Sequence, residues 1–150
     1  MTALRASTAH IQFGVKMIGW VYLVLGVIGF LPLEALNPYH PEGVGARYML
    51  HFMAIDPLHN AIHLAIGLSG LWAARTSASA TWWARGIGCV MVLLFAVGMA
   101  QAVLEGLPAD QRLLGLVALN SVGHTFHLAT GLVALLLGFP PWSGTGATQE

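Results

Sequence analysis

Asn60-Ala61-Ile62-His63-Leu64-Ala65-Ile66-Gly67-Leu68 and His124-Thr125-Phe126-His127-Leu128-Ala129-Thr130-Gly131-Leu132 are two copies of one pattern, 64 residues apart. The His, the two Leu, the Ala and the Gly coincide, and the same offset pairs Leu71 with Leu135 and Asp56 with Asn120. Asp and Asn side chains accept hydrogen bonds from the free N–H groups of a first helical turn, so each copy opens with an N-cap; Pro57 at the first helical position strengthens one of them. Upstream of each copy lies a second apolar run. Lys16, Ile18, Gly19, Val21, Leu25 and Gly29 of the first correspond to Arg85, Ile87, Gly88, Val90, Leu94 and Gly98 of the other. The chain therefore reads as a two-helix unit used twice, with repeat 1 over about residues 13–75 and repeat 2 over about 82–139.

The four runs extend over Phe13 to Leu31, Pro57 to Ala74, Trp82 to Leu104 and Ser121 to Phe139. Each holds roughly 18–23 residues, enough to cross about 30 Å of hydrocarbon at 1.5 Å per residue. They are rich in Leu, Ala and Met without period-2 alternation, and backbone groups in lipid must be satisfied within the segment, so helix is the expected state. Of the 150 residues 57% are hydrophobic and 8% charged. Soluble domains carry about 25% charged residues; a chain this poor in charge cannot clothe itself for water. All seven prolines fall at or outside the span limits, where a missing N–H does no harm. The expected fold class is all-α: a polytopic four-helix membrane bundle made of two tandem two-helix repeats. Residues 1–142 form a single transmembrane domain and 143–150 a Gly/Thr/Ser-rich disordered tail. Arg5 and Lys16 before an apolar stretch resemble a signal peptide, but Met17 to Leu33 is too long and lacks a cleavage site, which predicts a retained first span.

Orientation follows from the basic residues. Arg5, Lys16, Arg75 and Arg85 lie on one side, and Arg47 and Arg112 lie on the other with Glu34, Glu42, Asp56, Glu105 and Asp110. Four against two places both termini in the cytoplasm. Trp72, Trp82, Trp83 and Trp142, with Trp20 a little deeper, mark the inner boundary. The outer loops are the long ones: an interfacial helix is expected around Arg47–Met53, and a turn or helix start at Pro108-Ala109-Asp110. Zero net charge gives no reason to expect a nucleic-acid partner. The single cysteine, Cys89, excludes an intrachain disulfide framework and reads as a small packing residue.

The Asn-x-x-His-Leu-x-x-Gly pattern at Asn60, His63, Leu64 and Gly67, repeated as His-Leu-x-x-Gly at His127, Leu128 and Gly131, resembles a bacterial family of small four-helix membrane proteins catalogued as a domain of unknown function. The resemblance covers nearly the whole chain. It implies a multi-pass protein of the bacterial inner membrane and carries no activity with it. His124 departs from the pattern, since the repeat calls for Asn there.

Four of the seven histidines lie in the outer parts of the second and fourth spans. His59 and His63 are spaced i, i+4 and His124 and His127 i, i+3, so each pair shares a helix face. His63 and His127 stand seven residues beyond their caps, about 10 Å along the axis, a depth at which ionisable groups usually face the bundle interior. Three chemistries compete. His63 and His127 suit axial ligation of b-type haem or another tetrapyrrole, with Gly67 and Gly131 one turn below leaving room for the macrocycle. His59, His63, His124 and His127 suit zinc or copper, joined by Asp56 or Glu105 from the boundary. In the bland alternative the rings are neutral core residues bonded to Asn60, Ser121, Thr125 or a backbone carbonyl, and the glycines serve only close helix packing. His10, His40 and His51 read as solvated.

No Gly-x-Ser-x-Gly, His-Glu-x-x-His or phosphate-binding glycine-rich motif occurs, so no catalytic residue is assigned and the chain reads as a non-enzyme. Two roles are left. One is a cofactor-binding protein for electron transfer or metal handling. The other is a non-catalytic accessory subunit, packing against a larger membrane complex or a second copy through small-residue faces such as Gly19, Gly26 and Gly29.

Overall fold

In the computed structural model, described over residues 2–40, 45–106 and 111–139 (side chains from residue 9), four helices carry the chain. They are α1 (Thr2–Phe30), α2 (Pro57–Ala73), α3 (Ser77–Glu105) and α4 (Ser121–Gly138). Three of them, Ala9–Phe30 within α1, then α3 and α4, are long and apolar enough to cross a membrane. With 17 residues, α2 rises about 26 Å at 1.5 Å per residue, a little under the ~30 Å of hydrocarbon. Large apolar side chains cover the outside, including Val103, Leu93 and Trp82. On a water-soluble protein such a surface would be an aggregation hazard; in lipid it is the ordinary exterior.

The helix starts are set by the residues that the sequence marks. Asp56 accepts from the His59 amide with Pro57 following, and Asn120 accepts from the Gly123 amide. The third cap, Thr76, accepts from the Ser79 amide and opens α3 only residues 74–76 after α2 ends.

Within each half the two helices run antiparallel and close, because glycines remove side chains from the contact. Gly29 lies against Asn60, Gly26 against Leu64 and Gly19 against Leu71 in the first half. In the second, Gly98 lies against His124, Gly131 against Met91 and Val92, and Gly88 against Leu135. The offset of 64 turns Asn60 into His124 and Leu71 into Leu135, so the packing repeats with the sequence. Gly19, Gly26 and Gly29 are therefore filled by α2 of the same chain, and the expectation that they form an outward docking face is overturned. Between the halves, Tyr22, Ile66 and Met91 form a buried cluster with Phe126 beside it.

The long loops differ from expectation. In place of an interfacial helix, the segment around Arg47–Met53 forms a ribbon of β1 (Tyr39–His40), β2 (Ala46–Met49) and β3 (Met53–Ile55). A second ribbon joins β4 (Gln111–Leu113) to β5 (Val117–Leu119). Their registers superpose at offset 64: Arg47 faces Ile55 as Gln111 faces Leu119, and Met49 faces Met53 as Leu113 faces Val117. Both turns have positive φ at the two central residues, Leu50 (51°) and His51 (68°) against Leu114 (51°) and Gly115 (74°). That is the type I′ conformation, which matches strand twist. The N-caps then cross over. Asp56 accepts from the Ala118 amide of the second ribbon, and Asn120 accepts from the Ala54 amide of the first.

Pro108-Ala109-Asp110, Glu42, Pro41, Pro140, Pro141, Trp142 and the tail 143–150 lie outside the described residues, as does the side chain of Arg5. Cys89 faces outward on α3 and is exposed, so it is no interior packing residue.

Candidate metal centre

His59 and His63 are carried one turn apart on α2, and His127 on α4. All three are buried, at 1%, 1% and 5% exposure. One ligand nitrogen from each lies within 4.8 Å of the others. The ring centroids are 4.4 Å apart for His59 and His63, 5.7 Å for His59 and His127, and 6.0 Å for His63 and His127. The equivalent imidazoles thus meet across the bundle, facing away from lipid, because Asp56 and Asn120 start their helices at one level and each histidine follows its cap by the same seven residues.

Hydrogen bonding separates the three rings. Nδ1 of His59 lies 3.0 Å from the Ala118 carbonyl oxygen. A carbonyl only accepts, so Nδ1 carries the proton and Nε2 holds the lone pair. Metal-ligating histidines are commonly oriented in this way, the far N–H bound to a backbone carbonyl. His63 has neither ring nitrogen hydrogen-bonded, and His127 leaves Nδ1 without a partner. Each such group left unsatisfied in a buried site costs about 1–3 kcal/mol. The bland expectation needed bonds from the His63 and His127 rings to Asn60, Ser121, Thr125 or a backbone carbonyl. Thr125 instead donates to the Ser121 carbonyl of its own helix.

The candidate carboxylates are engaged elsewhere. Asp56 accepts from the His59 and Ala118 amides and from Arg112, and Glu105 accepts from Gln101. The ligating group consists of three imidazoles and no acid. His124 stands apart from it. As the counterpart of Asn60 it points toward α3, filling the space over Gly98, with its Nε2 3.3 Å from Nε2 of Gln111. The reason is register: three residues before His127, its ring is turned onto the α3 side of α4, whereas His59, one full turn before His63, keeps to the inner face.

Gly67 and Gly131 do not open onto the cluster. A Cβ on Gly67 would come 2.5 Å from the Leu23 backbone nitrogen, and one on Gly131 would come 3.0 Å from Met91. The space that a macrocycle would need is taken by α1 and α3. The His59 ring also falls inside the outline that a porphyrin between His63 and His127 would occupy.

Sequence reasoning missed Tyr22. It is fully buried in α1, its ring edge-on to His63 at 5.0 Å, with its hydroxyl 3.7 Å from Met91 Sδ and bonded to Thr130. A lone tyrosine in the middle of a Val/Leu span was the available signal. Three imidazoles this close can hold a borderline-soft ion, since zinc and copper both accept imidazole nitrogen.

No curated protein and no solved structure matches the chain. A family model described as "Domain of unknown function (DUF4383)" matches residues 12–140, which is most of the sequence and includes all four helical cores and the three histidines. The chain belongs to the DUF4383 family.

Proposed function

We propose that this protein binds one zinc or copper ion through His59, His63 and His127, inside a four-span membrane bundle. The observation that carries the reading is the set of buried ring nitrogens on His63 and His127 that have no hydrogen-bond partner and converge with His59. A bound ion satisfies one nitrogen on each of the three rings at once. Zinc–imidazole bonds of about 2.0–2.1 Å put ligand nitrogens about 3.3–3.4 Å apart in a tetrahedral site, so the 4.8 Å grouping has to contract by at most about 1.5 Å. Tetrapyrrole binding has weaker support, because both the glycine faces and the interior between His63 and His127 are filled.

The span reading rests on α2 lying antiparallel along α1 from Gly29–Asn60 to Gly19–Leu71, which takes it through the same depth as α1. With α2 crossing, the chain is one transmembrane domain of two repeats, about 13–75 and 82–139. Both termini are then cytoplasmic in a bacterial inner membrane and the cluster sits in the outer leaflet. The accessory-subunit role loses the glycine faces that suggested it.

Elemental analysis of the full chain, purified in detergent without chelator, tests this. About one zinc or copper per chain is expected, lost in His63→Ala and His127→Ala and kept in His124→Ala. A metal-free protein that also fails to take up zinc or copper on titration refutes it, and a Soret band would restore the haem reading.

A further inference from the structure

A second cavity lies at the outer boundary, apart from the three imidazoles. It measures about 340 Å³ and is walled by the end of α1 at Phe30 and Leu31, by β2 at Arg47, and by Asp56 and Pro57 at the start of α2, with Arg112 reaching in from the second ribbon. Small-molecule pockets run from about 300 to 1,000 Å³, so this one suits a headgroup-sized ligand and not a whole lipid.

Two independent features point to an occupant. The first is Asn60, which lines the cavity from α2, is 3% exposed, and leaves its Oδ1 without a hydrogen-bond partner. The fold makes room for this amide: any side chain on Gly29 would overlap it. A buried acceptor kept in place with no donor calls for a donor from a ligand. The second is charge. Two arginines, Arg47 and Arg112, line the cavity; Arg47 is paired with Glu34 at 2.8 Å and Arg112 with Asp56 at 3.1 Å, and both arginine side chains are about two-fifths exposed, at 43% and 39%. Among the described residues, the bonds of Arg47, to Glu34 and to the Asn37 carbonyl, all use Nη1. Guanidinium groups bind phosphate oxygens in a forked geometry, and planar recognition of this kind is where arginine is favoured.

We infer that this cavity binds a phosphate ester bearing a hydroxyl group, of the glycerol-phosphate type, with the phosphate at Arg47 and Arg112 and a hydroxyl donating to Asn60. The apolar rim at Phe30 and Leu31, both on the outside of the bundle, continues into the acyl region, so a phosphatidylglycerol headgroup and free glycerol phosphate share the required chemistry. The inference does not depend on the metal.

The test uses the full chain in detergent, titrated with dioctanoyl phosphatidylglycerol or dioctanoyl phosphatidylcholine and read by native mass spectrometry. The glycerol lipid is expected to bind at least about tenfold more tightly than the choline lipid, which has no hydroxyl donor. Arg47→Gln and Asn60→Ala should each weaken it by about tenfold, roughly the loss of one charge-assisted or buried hydrogen bond. Arg47 is a surface residue and Asn60→Ala removes an unsatisfied acceptor, so both variants should keep the wild-type circular dichroism. Competition by an equal concentration of free glycerol 1-phosphate assigns the site to a soluble ligand, and its failure to compete assigns it to lipid. Equal binding of the two lipids, or unchanged affinity in both variants, overturns the inference.

Discussion

At the scale of single residues, the bundle depends on where a side chain is absent. Gly67 takes the Leu23 backbone at a distance no Cβ tolerates, whereas Gly86 has nothing within 4 Å. Overpacking a filled helix contact costs typically about 1–3 kcal/mol, and alanine at an open helical position gains up to about 1 kcal/mol over glycine. Gly67→Ala should therefore lower the thermal unfolding temperature in detergent, and Gly86→Ala should hold or raise it. Equal effects would mean that α1 and α2 do not pack as described. The distinction could not be read from the sequence, where every glycine in an apolar run looks alike. The histidines were more legible. Their spacing put His59 with His63 on one face, and their distance from the caps put His63 level with His127. The i, i+3 spacing set His124 off to one side of His127, but that this side meets Gln111 and Gly98 depends also on how α4 rotates against α3.

Among the elements, the ribbons were the least legible. Arg47–Met53 mixes polar and apolar residues in a way that fits an amphipathic helix, and only the positive φ at Leu50 and His51 makes it a hairpin. Neither residue signals such a turn as Asn-Gly would; Gly115 in the second copy was the only hint. Non-glycine residues in this conformation cost about 1–2 kcal/mol. Leu114 has φ 51° and is 69% exposed, so Leu114→Gly should stabilise the protein by about 1 kcal/mol; a drop in denaturation midpoint would contradict the turn.

The cross-linked caps make the opposite prediction. Asn120→Ala removes an N-cap, worth about 0.5–2 kcal/mol, together with the bonds to Ala54 and Phe52 of the other ribbon. Faster amide exchange is expected in both ribbons, and exchange confined to α4 would mean that the halves are not joined there. The first ribbon also responds to acid. The Tyr39 amide and then Arg47 hold the Glu34 carboxyl below its ordinary value of 4.5. A depressed carboxyl contributes its stability above the unfolded value and loses it as pH falls through the folded one. Protection of the Tyr39 amide should thus decline only below about pH 4.5, and Glu34→Gln should flatten that dependence.

Across the whole molecule, the structure carries through what the repeated pattern implies: caps, ribbons, turn conformations and the second helix of each pair return 64 residues later, and the first helix of each pair returns 69 residues later. The symmetry is broken where chemistry needs it broken. His59 has Gly123 as its counterpart, and Asn60 has His124, so the pair formed by His63 and His127 gains one further imidazole from the first half alone. If α2 spans the membrane, tags at the two ends should both be inaccessible to protease added outside intact spheroplasts; one accessible end would remove the four-span topology.

X-ray absorption at the edge of the bound metal examines the three-imidazole centre most directly. The spectrum expected is a first shell of nitrogen at about 2.0–2.1 Å with outer-shell scattering from three imidazole rings, reduced to two in His59→Ala. A shell containing sulfur, the four pyrrole nitrogens of a porphyrin, or a spectrum unchanged by His59→Ala would contradict it.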